Sequence, residues 1–193
     1  MFRNDLYIKA VQAGELVSKY NQSRSDVLTM PGPWGNIKGK EHGFCVGASM
    51  YWIQERRNGR EIPVDGSMNM LPDLGRILKL HLLKRTEGYE GIASRNCTAI
   101  LETCVLLGLP SVHNIMHVIK GGRYWIMSYH RNGGGHAVAI EHIQGGALRY
   151  FDINYGEFKF SSLSRFHTWL YNFLHGCGYK TKYTKDVTLR KYW

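Results

Sequence analysis

A chain of 193 residues, 44% hydrophobic and 21% charged, has the composition of one soluble domain with a sizeable core, read here as a single unit over residues 1–193. Its apolar runs are short, the one from Cys104 to Leu109 being interrupted by Gly108 and stopped by Pro110, which excludes a transmembrane helix of ~20 residues. A formal charge of +10 favours an acidic partner, but the basic residues are scattered apart from Lys180, Lys182, Lys185, Arg190 and Lys191, and without a zinc-finger or RNP-type motif nucleic acid is not the expected partner.

The N-terminal MFRNDLYIKAVQAGELVSKY carries charges in every turn, so it reads as an amphipathic helix over residues 5–20 and not as a secretory signal peptide. NQSRSD and PGPWGNIKGKEHG follow as a long irregular loop rich in glycine and proline. CVGASMYWIQERR then has helical spacing, with Arg56 and Arg57 in its last turn and Gly59 as a stop, so Cys45 is expected at a helix N-terminus. Two more helices are expected at about 70–85 and 96–107, whereas SVHNIMHVI has no assignable state.

After Gly121-Gly122 the pattern changes to short β-prone runs, RYWIMSYH, HAVAIEHI, ALRYFDI and EFKF, separated by RNGGG, QGG and NYG. Gaps this short join antiparallel strands. SSLSRFHTWLYNFLHGCG reads as a serine-capped helix, and DVTLRKYW as a last strand. The expected architecture is α+β, a helical first half packed on an antiparallel sheet, with no βαβ alternation, G-x-G-x-x-G or P-loop to suggest a nucleotide.

The four cysteines, Cys45, Cys97, Cys104 and Cys177, form no CxxC pair and are expected as free thiols. No zinc site, other metal or cofactor is expected: His113 and His117 stand four apart but lack a third ligand. The chemistry instead points to a nucleophile. A cysteine at a helix N-terminus feels the positive end of the macrodipole, which favours thiolate over thiol. Gly43 allows close backbone approach of a substrate, and the Cys45 N–H can serve an oxyanion.

GGGHAVAI opens a strand with His136, and the next strand ends at Asp152 in FDINYGEF. If the QGG turn pairs Ile143 with Ala147, His136 faces Asn154 and Asp152 becomes its diagonal neighbour, within reach of an imidazole–carboxylate bond. A slip of one residue would put the two on opposite faces. Singly each residue has a plainer reading, as a buried thiol, a strand histidine and a turn aspartate. Together they follow the Cys–His–Asp logic of thiol catalysis. Cys97 also sits near an expected helix start, but its spacing to Cys104 reads as core packing, and Cys177 between two glycines is a minor candidate.

GFCVGASMYWI, GGHAVAI and YFDINYGEFKF, spanning about 38–163, resemble the YopT-like and AvrPphB-like cysteine proteases, bacterial effectors and toxin domains of papain-like fold. The resemblance implies Cys45 as nucleophile, His136 as general base and Asp152 as the group that orients the imidazole. Such enzymes also carry an amide for the oxyanion hole, for which Asn36 is the nearby residue, with Lys38 or backbone N–H groups as alternatives. It further implies a protein substrate, delivery to a target cell by a specialised secretion route, and an inhibitor, chaperone or immunity protein as compatible partners. A deamidase, transglutaminase or amidase could use the same three groups, and a basic binding module with an inert Cys45 is the non-enzymatic alternative.

Overall fold

The computed structural model describes residues 16–18, 29–32, 35–38, 44–61, 75–77, 79–84, 88–89, 101–106, 111–176 and 178–192, the first three segments and 101–106 by backbone course alone. A seven-stranded sheet runs in the order β1-β8-β7-β6-β5-β9-β4, where β1 is Leu16–Ser18, β4 Leu101–Leu106, β5 Tyr124–Arg131, β6 Gly134–His142, β7 Leu148–Asp152, β8 Gly156–Phe160 and β9 Val187–Tyr192. Every neighbouring pair is antiparallel. A separate hairpin joins β2, Thr29–Gly32, to β3, Gly35–Lys38. The helices are α1 (Cys45–Arg57), α2 (Val112–Ile119), α3 (Leu163–Gly176) and α4 (Tyr179–Lys182), with further helical residues at 75–77 and 79–84.

Alternation along the strands divides the side chains between two cores. On one face Tyr124, Ile126, Ala137, Ala139 and Phe151 pack with α1, Ile77 and Leu80. On the other Trp125, Met127, Val138, Ile140 and Tyr150 pack with α2, α3 and Tyr179 of α4. Helix α1 is buried all round from Cys45 to Glu55, the pattern of a helix inside a core and not on its surface. Trp52 stacks on Phe151 at 5.8 Å between centroids and donates its indole N–H to Glu157 at 3.0 Å.

Ion pairs fix the roll of α1 against the sheet. Glu141, fully buried on β6, accepts from Arg56 of α1 at 3.1 Å and from Arg123 at 3.0 Å. Arg149 of β7 bridges Glu157 at 2.7 Å and Glu61 at 3.0 Å. Losing one member of a buried pair strands the other and costs about 3–5 kcal/mol. The polar groups therefore act as registration pins for the helix that begins at Cys45.

Gly47 sits where α1 crosses the helical stretch at 75–84. A Cβ there would collide with the Ile77 carbonyl oxygen and lie 3.0 Å from the His81 N and 3.1 Å from its Cβ. Two backbones meet, and neither can yield as a flexible side chain could. Gly47→Ala is expected to cost about 2 kcal/mol or more and to lower the thermal midpoint by roughly 4–8 °C. An unchanged melting curve would show that the two helices do not approach this closely.

Four expectations change. The helix expected over 5–20 meets strand β1 at Leu16–Ser18, which pairs with β8 and covers its outer edge; the remainder of that range lies outside the described residues. The supposed irregular loop contains the β2–β3 hairpin, with Thr29 opposite Lys38 and Gly32 opposite Gly35, so its Pro and Gly residues punctuate a turn. The helix expected over 96–107 is a strand from Leu101 to Leu106, where Thr103, Cys104 and Val105 suit the sheet edge beside β9. SVHNIMHVI forms α2, capped by Ser111 and burying Val112, Ile115, Met116 and Ile119 at helical spacing. The first half thus contributes strands as well as helices, within an α+β fold.

The remaining elements match the expectation: α1 from Cys45 to Arg57 with Gly59 beyond it at φ 71, helical residues within 70–85, the β5–β8 meander, the helix after Ser162, and a final strand. That last strand lies inside the sheet between β5 and β4 and not at an edge.

Candidate active site

Helix α1 starts abruptly. Its N-cap Phe44 makes no side-chain cap bond, and its first turn holds no acidic residue of its own to offset the positive helix end that Cys45 occupies. Cys45 is a free thiol, 8% exposed, set against the His136 imidazole and the backbone N–H of Ala137. Both neighbours come from β6, the strand on which α1 packs, so one helix–strand contact brings thiol and imidazole together.

The β6–β7 turn is the one that its sequence suggests. Ile143 donates its N–H to the Ala147 carbonyl at 2.8 Å, and Gly145 and Gly146 adopt φ 98 and 92, left-handed values that glycine reaches without strain. The ladder then pairs Ala139 with Phe151, so the register carries His136 opposite Asn154. His136, 4% exposed, donates from Nε2 to Oδ1 of the fully buried Asp152 at 2.9 Å. With Nε2 committed to that carboxylate, Nδ1 is the nitrogen left for Cys45.

The electrostatics follow from these contacts. Burial opposes a charge on His136, but the Asp152 carboxylate, by its charge and its hydrogen bond, and the Cys45 sulfur outweigh it and push the imidazolium pKa up to about 10. For Cys45 burial likewise opposes ionisation. The hydrogen bond and charge of His136 and the Ala137 N–H prevail against burial and the Asp152 charge, leaving the thiol below its ordinary value. A raised histidine beside a lowered cysteine describes a thiolate–imidazolium pair.

The roles of two neighbours went unread in the sequence. Tyr179 of α4 donates its hydroxyl to Asp152 Oδ2 at 3.0 Å, and the Asn154 amide donates to that hydroxyl at 3.1 Å while its backbone N–H donates to Asp152 Oδ1 at 2.8 Å. The expected register already set Asn154 opposite His136, but it did not give the bonds to Asp152 and Tyr179. Nothing local pointed to Tyr179, 27 residues from Asp152. Tyr179 and Tyr183 wall the imidazole at 5.2 and 6.4 Å between centroids.

Asn36 lies on β3 opposite Pro31, and Lys38 opposite Thr29; their side chains, like Gly43, Cys97 and Cys177, lie outside the described residues. Cys104 is on strand β4 opposite Arg190, which removes the helical spacing argued for it and Cys97. His113 and His117 are exposed on α2, and among the described residues no group of three or more His, Cys, Asp or Glu is arranged to hold a metal. No described helix is long and apolar enough to cross a membrane.

The profile of a peptidase family described as Yersinia/Haemophilus virulence surface antigen matches residues 119–190, a span that contains His136 and Asp152 but not Cys45. The crystal structure of the Pseudomonas avirulence protein AvrPphB superposes with a TM-score of 0.64 at 14% identity, over 94% of this chain and 98% of that one. The chain is similar to the YopT-like cysteine proteases. At this identity the superposition speaks for the fold, which is α+β and papain-like. No curated protein matches the chain by sequence.

Proposed function

We propose that this chain is a cysteine protease in which Cys45 is the nucleophile, His136 the general base and acid, and Asp152 the group that orients the imidazole. The observation that carries the reading is the bond from His136 Nε2 to Asp152 at 2.9 Å, which leaves Nδ1 to a thiol of lowered pKa at a helix N-terminus. The peptidase-family profile over 119–190 and the papain-like fold support it independently.

In this mechanism the Cys45 thiolate attacks the scissile carbonyl, and the tetrahedral oxyanion takes hydrogen bonds from the Cys45 N–H and from an amide for which Asn36 is our candidate. Imidazolium His136 protonates the departing amine, leaving a thioester. Neutral His136 then draws a proton from water, whose attack frees Cys45. No cofactor or metal takes part in these steps. The virulence-associated relatives support an effector that enters a target cell through a specialised secretion route and cuts a protein there, and the charge of +10 favours a substrate with an acidic face.

The test is mass spectrometry of a target-cell lysate treated with wild-type or Cys45→Ala protein. New peptide termini found with the wild type alone support proteolysis. Conversion of Gln to Glu without new termini would replace proteolysis by deamidation, and no difference between the two proteins would sink both.

Asp152 supports and does not react, so its replacements should be graded. Asp152→Asn keeps an oxygen that can accept the Nε2 proton and is expected to lower kcat/KM while leaving it measurable, and Asp152→Ala to lower it further. Equal kcat/KM for wild type and Asp152→Ala would assign the orienting role to another residue.

A further inference from the structure

We propose that Tyr179 is a positioning residue that, steadied by Asn154, holds the plane of the Asp152 carboxylate and through it the angle of His136. The proposal rests on the reading of Cys45, His136 and Asp152 given above. A carboxylate held at one oxygen can still rotate about its Cβ–Cγ bond and swing the imidazole with it. Here Oδ1 takes His136 Nε2 at 2.9 Å and the Asn154 N–H at 2.8 Å, while Oδ2 takes the Tyr179 hydroxyl at 3.0 Å. Three donors on two oxygens leave the group no free rotation, and the carboxylate, the imidazole and the tyrosine are all buried.

The direction of each bond is determined by what each atom can do. An ionised carboxylate only accepts, so the Tyr179 hydroxyl must donate to it and must accept from the Asn154 amide at 3.1 Å. That amide also lies 3.4 Å from His136 Nε2, but a nitrogen whose proton is given to Asp152 offers no lone pair, so the amide serves Tyr179. The chain runs Asn154 to Tyr179 to Asp152, and closes on His136. It fixes the carboxylate against Nε2, so Nδ1 remains turned to Cys45.

The tyrosine ring is itself held. It meets Tyr129 at 5.4 Å, Tyr183 at 5.3 Å, Phe173 at 5.9 Å and Tyr155 at 5.9 Å between centroids, and it is 3% exposed. Gly178, at φ 74, turns the chain so that the first residue of α4 points to the end of β7. Tyr179 belongs to the core formed with α3 and reaches Asp152 from there, whereas Cys45 belongs to the core on the opposite face. The imidazole at the start of β6 is thus gripped from one face and presents its free nitrogen toward the other. Tyr179 meets the imidazole only through its ring and spends its hydroxyl on Asp152, so its role is orientation.

Iodoacetamide alkylation of Cys45 as a function of pH, on the full chain, is the probe, because it needs no substrate. The variants are Tyr179→Phe, which keeps the ring, and Asn154→Ala as a second route to the same hydroxyl. We expect the wild type to label rapidly at about pH 6, and Tyr179→Phe, still folded by its melting curve, to label roughly tenfold more slowly there with its profile displaced to higher pH. Asn154→Ala should shift in the same direction by less, and the double variant should fall short of the sum. A folded Tyr179→Phe or Asn154→Ala protein with the wild-type pH profile overturns the positioning role and leaves the protease reading intact. A wild type that labels only as an ordinary buried thiol overturns that reading and this inference with it.

Discussion

Cys45→Ala is expected to reduce peptide-bond cleavage to background, a loss on the order of 10⁵-fold in kcat/KM, with the melting temperature little changed. A methyl group can make no thioester, and removing the nucleophile of a coupled triad costs about as much as removing the whole set. The fold should tolerate the change, because it removes a single sulfur atom and the helix is held by Trp52 on Phe151 and by the Arg56–Glu141 pair. Proteolysis or toxicity that survives in Cys45→Ala would move the nucleophile elsewhere, first to Cys97 or Cys177.

His136→Ala should be nearly as severe, and its effect on Cys45 can be read separately. In the wild type, protonated His136 lowers the thiol against the resistance of burial. Without the imidazole, burial and the Asp152 charge both act upward, so the alkylation midpoint should climb to the ordinary thiol range or above it. At about pH 6 this predicts a marked fall in labelling rate, since the thiolate fraction drops as the thiol pKa rises. The wild-type ion pair should in turn persist upward in pH until the imidazolium titrates at about 10. If labelling in His136→Ala keeps its wild-type midpoint, the helix N-terminus alone activates Cys45 and the imidazole does not.

The candidate site was legible in the sequence because two of its three proposed members are joined by a short turn. The QGG turn, with glycines in left-handed conformations and Ile143 bonded to Ala147, sets a ladder whose period of two decides which residues share a face. His136 and Asp152 follow from that arithmetic. Cys45 was legible for another local reason: a helical pattern that starts abruptly after a glycine-rich stretch puts its first residue at the dipole.

What was misread was misread where pairing is not local. Residues 101–106 carry an apolar run too short for periodicity to tell helix from strand, and only the open edge of β9 selects the strand. Leu16–Ser18 became a strand because β8 offered it an edge 139 positions further along the chain, as in the pairing of Ser18 with Glu157. The pull of an unpaired edge outweighs a weak helical pattern.

By itself, then, the sequence determined the α+β class, the helix on which Cys45 begins, and the hairpin register that joins His136 to Asp152, all consequences of periodicity and turn chemistry over a few residues. Only the tertiary structure decided that β9 lies between β5 and β4, that α1 packs on β6 so that its first residue meets the imidazole, and that Tyr179 of α4 closes on Asp152 from the other core. Each of these depends on which surfaces are left to be buried once the meander has formed, and burial is a property of the assembled chain, with no period to be read along it.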